Sequence, residues 1–130
     1  MTRFSFKWLA ALAALSLLSV AALAQTTGPT AQASLGVTPT VTSAGGTVTV
    51  FGSITNTSSK AEKVTVNYDV AGPCNYTDAY TVKFTLKPGE TRTASNSYTA
   101  PACAGDYLIT ATATSGGTVL DVKSVTVTVQ

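Results

Sequence analysis

The sequence predicts an all-β fold: about seven short antiparallel strands in two sheets packed face to face, preceded by an N-terminal signal-peptide helix. Three observations predict it. Apolar and polar residues alternate with period two through most of the chain after Thr47, which puts one face of each segment toward a core. Thr and Val dominate, and both are β-branched residues favoured on pleated surfaces. No segment after Gln25 sustains a 3.6-residue apolar period, and Gly, Pro and Asn clusters separate the alternating runs.

The first segment stands apart from the rest. Arg3 and Lys7 precede Trp8 to Ala22, which is apolar apart from Ser16 and Ser19. Ala22-Leu23-Ala24 then offers small residues before Gln25. This is the three-part form of a secretory signal, with cleavage expected between Ala24 and Gln25. The apolar run is shorter than the roughly 20 residues of a membrane span, although an uncleaved anchor is the rival reading. Residues 1–24 are therefore a signal peptide, 25–32 a polar leader and 33–130 the folded domain. The expected location is secreted or periplasmic, with no membrane insertion once the signal is removed.

The alternation assigns each element. Ala33 to Pro39 is a first short strand, ended by the proline. Ser43 to Gly46 turns. Thr47 to Asn56 points Val48, Val50, Gly52 and Ile54 inward, while Phe51 breaks the polar face. Gly52 within a strand suggests a bulge or a close backbone approach. Glu62 to Val70 points Val64, Val66, Tyr68 and Val70 inward. Tyr80 to Leu86 and Thr91 to Thr99 flank Lys87-Pro88-Gly89-Glu90, which reads as a hairpin turn. Cys74 and Cys103 bracket that hairpin. Asp106 to Thr114 follows, with Tyr107, Ile109, Ala111 and Ala113 on one face. Gly116-Gly117 is a hairpin signal. Thr118 to Val129 changes parity between Val122 and Val125, so a bulge is expected near Lys123-Ser124.

Leu86-Lys-Pro-Gly-Glu-Thr91, Tyr98-Thr-Ala-Pro101 and Gly105-Asp-Tyr-Leu-Ile-Thr-Ala-Thr-Ala113 together resemble the second half of bacterial immunoglobulin-like domains. The CARDB-like group, the cell-adhesion-related domain of bacterial surface and secreted proteins, is the nearest type. Val50 to Tyr68 is similar to the first half of that group, so the resemblance spans roughly residues 33–129. It implies an immunoglobulin-like sandwich acting as a binding, adhesion or structural module. Tyr107, after Gly105-Asp106, resembles the tyrosine corner of such sandwiches.

Charge and residue types exclude several functions. Arg3 and Lys7 supply the whole net charge of +2. The remaining six basic and six acidic residues balance and are scattered, which leaves no basic patch for nucleic acid. The chain has no His. That removes the common general base, most metal sites and the Ser-His and Cys-His nucleophiles. No catalytic, cofactor-binding or metal-binding residue is assigned. Two cysteines in a secreted chain favour a Cys74–Cys103 disulfide. Asp69, Asp78 and Asp106 could supply a carboxylate pair for a small hydrolase, but solvated surface charge is the ordinary reading.

Two alternatives to a protein-binding module remain. Phe51, Tyr76, Tyr80 and Tyr98 can stack on sugar rings where any two share an exposed face. Thr rows (Thr47 and Thr49; Thr110, Thr112 and Thr114; Thr126 and Thr128) can order water or ice, although Thr is also an ordinary outward strand residue. The expected partner is a protein or glycan. The final strand, through Val125, Val127 and Val129, is expected to pair edge to edge. Asn56-Thr-Ser58 and Asn75-Tyr-Thr77 are sequons that matter only in a glycosylating host.

Overall fold

The computed structural model describes residues 28–130, so the signal peptide and its cleavage site lie outside the described residues. Eight strands form two sheets. β1 (Ala31–Thr38), β3 (Thr47–Asn56) and β6 (Thr91–Thr99) make a three-stranded antiparallel sheet in the order β1-β3-β6. β2 (Val41–Thr42), β8 (Thr118–Val129), β7 (Gly105–Ser115), β4 (Glu62–Gly72) and β5 (Tyr76–Leu86) make the second sheet, in the order β2-β8-β7-β4-β5. The arrangement is an immunoglobulin-like sandwich, all-β as the alternation requires.

The inward faces agree with the alternation. Val48 and Ile54 from β3, Val64 and Val66 from β4, and Tyr107, Ile109, Ala111 and Ala113 from β7 are buried between the sheets. Gly52 sits in an unbroken register with both neighbours, so there is no bulge. Its role is close approach: a side chain there would meet the Ser34 carbonyl at 2.6 Å. Phe51, exposed on the outer face, lies over Gly36 of β1. The cross-strand glycine makes room for the ring.

The structure corrects several boundaries. β1 starts at Ala31, which is buried, so the first strand begins two residues before Ala33 and ends at Thr38. A short strand, β2, pairs in parallel with Thr128 and Val129. The Lys87–Glu90 turn does not close a hairpin. β5 pairs with β4 in one sheet and β6 pairs with β3 in the other. Alternation fixes which face a strand buries but not which sheet it joins. At this corner Gly89 N–H donates to Asn56 O (2.8 Å) and Asn56 N–H donates to Glu90 O (3.0 Å), which ties the crossing to the end of β3.

The hairpin in this region is β4–β5. Its turn is Pro73-Cys74-Asn75-Tyr76, with φ of 59° at Cys74 and 57° at Asn75. Tyr76 N–H donates to Pro73 O at 3.2 Å. Two left-handed central residues make the primed turn that matches strand twist. β7–β8 closes through Gly116-Gly117 as expected, with Ser115 opposite Thr118. The bulge in β8 falls at Leu120, between the Ala113–Asp121 and Thr114–Val119 pairs, and not at Lys123-Ser124. Val122 consequently faces out.

Candidate functional site

β5 and β6 are the free outer strands of the two sheets and lie on the same side of the sandwich. They are barely in contact. What contact exists is at the corner, where the Arg92 guanidinium sits 5.5 Å from the centre of the Phe84 ring and donates to Thr85 O at 3.3 Å. Away from the corner the strands leave a groove that reaches the core. Counted out to open solvent, the space amounts to ≈ 660 Å³. Its floor is Val48, Val50, Val70, Ile109 and Val127, and its walls carry Tyr68, Tyr76, Tyr80, Tyr98 and Tyr107.

Register explains why the tyrosines converge. Tyr68 and Tyr80 are opposite each other in the β4–β5 pair, so they share the inward face. Their rings are near parallel, 29° apart, with centroids 6.3 Å apart. Tyr98 is opposite the buried Val48 and therefore faces the groove from the other sheet. β5 ends its sheet, so half of Tyr80 stays exposed. Asp78, opposite Val70, is on the same face and is, among the described residues, the one charged residue lining the groove. Burial first, then the nearby Tyr98 and Tyr80 hydroxyls, pushes Tyr68 above its ordinary value. Tyr98 is also raised, mainly by burial, although a hydrogen bond with Asn96 opposes it; Asp78 adds to the rise.

The disulfide lies next to the Tyr76 end of the groove, behind the lining residues Tyr76 and Tyr107. Cys74 and Cys103 are bonded, with Cα atoms 6.4 Å apart. Cys74 is in the β4–β5 turn and Cys103 in the loop before β7, and the bond between them is the disulfide the sequence favours. The Tyr107 hydroxyl donates to Cys103 O at 2.7 Å, four residues upstream, which is the bond of a tyrosine corner. The Tyr107 ring covers Gly72 and meets Tyr76 edge to face, with centroids 5.5 Å apart. The bridge, the corner and the aromatic pair therefore hold the start of β5, with Tyr76 and Asp78, against β7.

The structure places the other candidate residues away from this groove. Phe51 is on the opposite face of the three-stranded sheet. Thr110 and Thr112 lie on the outer face of the five-stranded sheet beside the exposed Leu108 and Val122. Thr49 and Thr55 bond to Ser97 and Thr91 across the outer face of the other sheet. Asn56 is fully buried and its amide is taken by Lys60 O and Leu86 O, so that sequon is closed to modification. Asn75 is exposed. The expected docking edge at Val125, Val127 and Val129 is covered at its end. Thr128 N–H and Gln130 N–H donate to Thr40 and Thr42, and Val127 and Val129 are buried. That pairing reaches only Thr128 and Val129, and β5, at the other end of the same sheet, also has an unpaired edge. The sequence offers Phe51, Tyr76, Tyr80 and Tyr98 as stacking candidates, Asp78 only as part of a carboxylate pair and Tyr68 only as an inward residue; that Tyr68 and Asp78 join the three tyrosines depends on a gap between the sheets.

No family model and no curated protein matches the sequence. Solved structures do. A CARDB domain of a Pyrococcus furiosus protein, solved in complex with di-metal ions, matches at 17% identity and a TM-score of 0.63, over 78% of this chain and 93% of that one. A β-glucosidase of Erythrobacter marinus matches at 13% identity and a TM-score of 0.63, over 78% of this chain. The alkylpurine DNA glycosylase AlkC of Pseudomonas fluorescens, bound to DNA, matches at 16% identity and a TM-score of 0.61, over 79% of this chain. The chain spans 16% of the glucosidase and 31% of the glycosylase. The likeness is one of fold. Among the described residues, no three His, Cys, Asp or Glu side chains group to hold a metal ion.

Proposed function

We propose, on the premise of its CARDB-like immunoglobulin fold, that this chain is a secreted, non-enzymatic binding module whose partner is held in the β5–β6 groove. The observation that carries the reading is the groove itself: five tyrosines and an apolar floor reached from solvent between two free strands. A concave apolar site with a few convergent polar groups is the usual form of a binding site. Secretion is supported by the three-part leader and by the disulfide, which persists in oxidising compartments. The test is retention on the native envelope or medium fraction. Tyr80→Ala with Tyr98→Ala should lose retention while keeping the wild-type fold, since both side chains are over two-fifths exposed. Equal retention by the double variant would remove the groove from the function. Mass spectrometry of the exported protein should find Gln25 at its N-terminus; a retained Met1 would point to a membrane anchor.

A second reading is carbohydrate binding, favoured by Tyr76, Tyr80 and Tyr98 meeting on one surface. Titration with glucan and N-acetylglucosamine oligomers separates it from the first.

A further inference from the structure

We propose that the groove takes a Lys or Arg side chain carried on an extended segment of a partner protein, which adds as a strand to the free edge of β5. The inference rests on the groove being the binding face. Two observations carry it.

The first is charge complementarity. Among the described residues Asp78 is the one charged residue lining the groove, and tyrosine rings, which have electron-rich faces, surround it. Among the described residues, Asp78 forms no salt bridge; its Oδ1 accepts only from the neighbouring Ala79 N–H, at 2.9 Å. The nearest guanidinium is committed elsewhere: Arg92 bonds to Glu90 at 3.0 Å and covers Phe84 at the corner. A carboxylate beside aromatic faces, with no cation of its own, is complementary to an organic cation on an apolar stem. Lys and Arg side chains are that chemistry.

The second is the edge. β5 ends the five-stranded sheet, so one row of its main-chain groups has no strand partner. A segment paired to it sends alternate side chains toward the groove face shared by Tyr76, Asp78 and Tyr80. The main-chain pairing holds the segment, and the groove selects the side chain.

The test uses the exported protein and a phage-displayed library of random ten-residue peptides. Enriched peptides should carry Lys or Arg with apolar residues two positions away. Asp78→Asn should weaken their binding at least tenfold, while Asp69→Asn, exposed on the opposite face of β4, should leave it unchanged. N-methylation of the best peptide at alternate positions should abolish binding for one parity and spare it for the other, because only one row of amides faces β5. Peptides without a basic residue, indifference to Asp78→Asn, or equal tolerance of both parities would overturn the inference. No enrichment, with retention on the native fraction still lost in Tyr80→Ala/Tyr98→Ala, would overturn the basic segment and keep the groove. Loss of both would end both readings. Self-association broken by Tyr80→Ala would replace the partner with a second copy and overturn the inference.

Discussion

The side-chain amide of Asn56 donates to the main-chain carbonyl of Leu86 at 3.0 Å, where both residues are fully buried. One residue ends β3 and the other ends β5, so this bond joins the two sheets at the closed end of the groove. Every polar atom of the Asn56 side chain is used. Nδ2 also donates to Lys60 O at 2.7 Å, and Oδ1 accepts from Ser58 N–H and Oγ–H at 2.9 and 2.7 Å.

Asn56→Ala should therefore cost more than an ordinary surface change. It removes the side-chain partner of Leu86 O and of Ser58 N–H, at about 1–3 kcal/mol for each group that water cannot reach, while the Ser58 hydroxyl can still donate to Lys60 O at 2.9 Å. We expect a loss of about 3 kcal/mol in urea unfolding, with Thr57→Ala, exposed next door, within about 0.5 kcal/mol of wild type. Equal midpoints for the two variants would remove Asn56 as the tie between sheets.

Replacing Cys74 and Cys103 by Ser should leave a folded domain that melts well below the wild type. Closing a loop with a separation of 29 residues stabilises by about 3.5 kcal/mol in the chain-entropy model. Thiol labelling of the native, unreduced protein should find no free thiol. Two labelled cysteines would refute the bridge and the compartment inferred from it.

Gly72→Ala should disturb the groove as well as stability. A side chain at Gly72 would run into the Tyr107 ring, which must then shift from Tyr76 and from its bond to Cys103. An overpacked site of this kind typically costs about 1–3 kcal/mol. Near-ultraviolet circular dichroism should report the changed tyrosine environment, and an unaltered spectrum would contradict the packing described.

Asp121 makes stability depend on pH. Its Oδ2 accepts from Ala33 N–H at 2.8 Å, across from one sheet to the other. That bond first, opposed by burial, with Val122 N–H and Lys123 also helping, holds the carboxyl below its ordinary 3.8. A folded-state value below the unfolded one gives stability that is present above the unfolded value and lost as pH falls through the folded one. Asp121→Asn should lie about 1–2 kcal/mol below wild type at neutral pH, the scale of a hydrogen bond to a charged group. The two should converge in strong acid. A gap that stays constant down to about pH 2 would assign the effect to packing instead.

Deleting Val125 to Gln130 should prevent stable folding. Val127 and Val129 are 4% and 1% exposed, and burying each is worth about 1.5–3 kcal/mol. The deletion also strips β2 of its partner. A truncated protein with an unchanged melting temperature would contradict this.

Much of the fold was legible because burial in a sandwich follows period two, and Val48, Ile54, Val64, Val66, Tyr107 and Ile109 obey it. Three things were not. The sheet to which β6 belongs depends on a hydrogen bond from Gly89 N–H to Asn56 O and one from Asn56 N–H to Glu90 O, which no local pattern encodes. Asn56 itself reads as a turn residue, because burial of an amide becomes plausible only when four partners surround it. The groove is a property of two strands that do not pair, and the sequence marks pairing far better than its absence.

The Asp121–Ala33 bond has a counterpart that is missing. It clasps β8 to β1 along one flank, whereas on the flank of β5 and β6 the ties among the described residues, the Arg92 contacts and the Asn56–Leu86 bond, gather at the corner. The sandwich is like a book bound along one long side and open along the other. Its breathing should then be lopsided: amide exchange in β5 and β6 should report small openings of low free energy, while β7 and β8 exchange only on global unfolding. Entry into the core from the loose flank would need no unfolding at all, so a partner could be admitted quickly and its departure governed by how firmly the free margin closes over it.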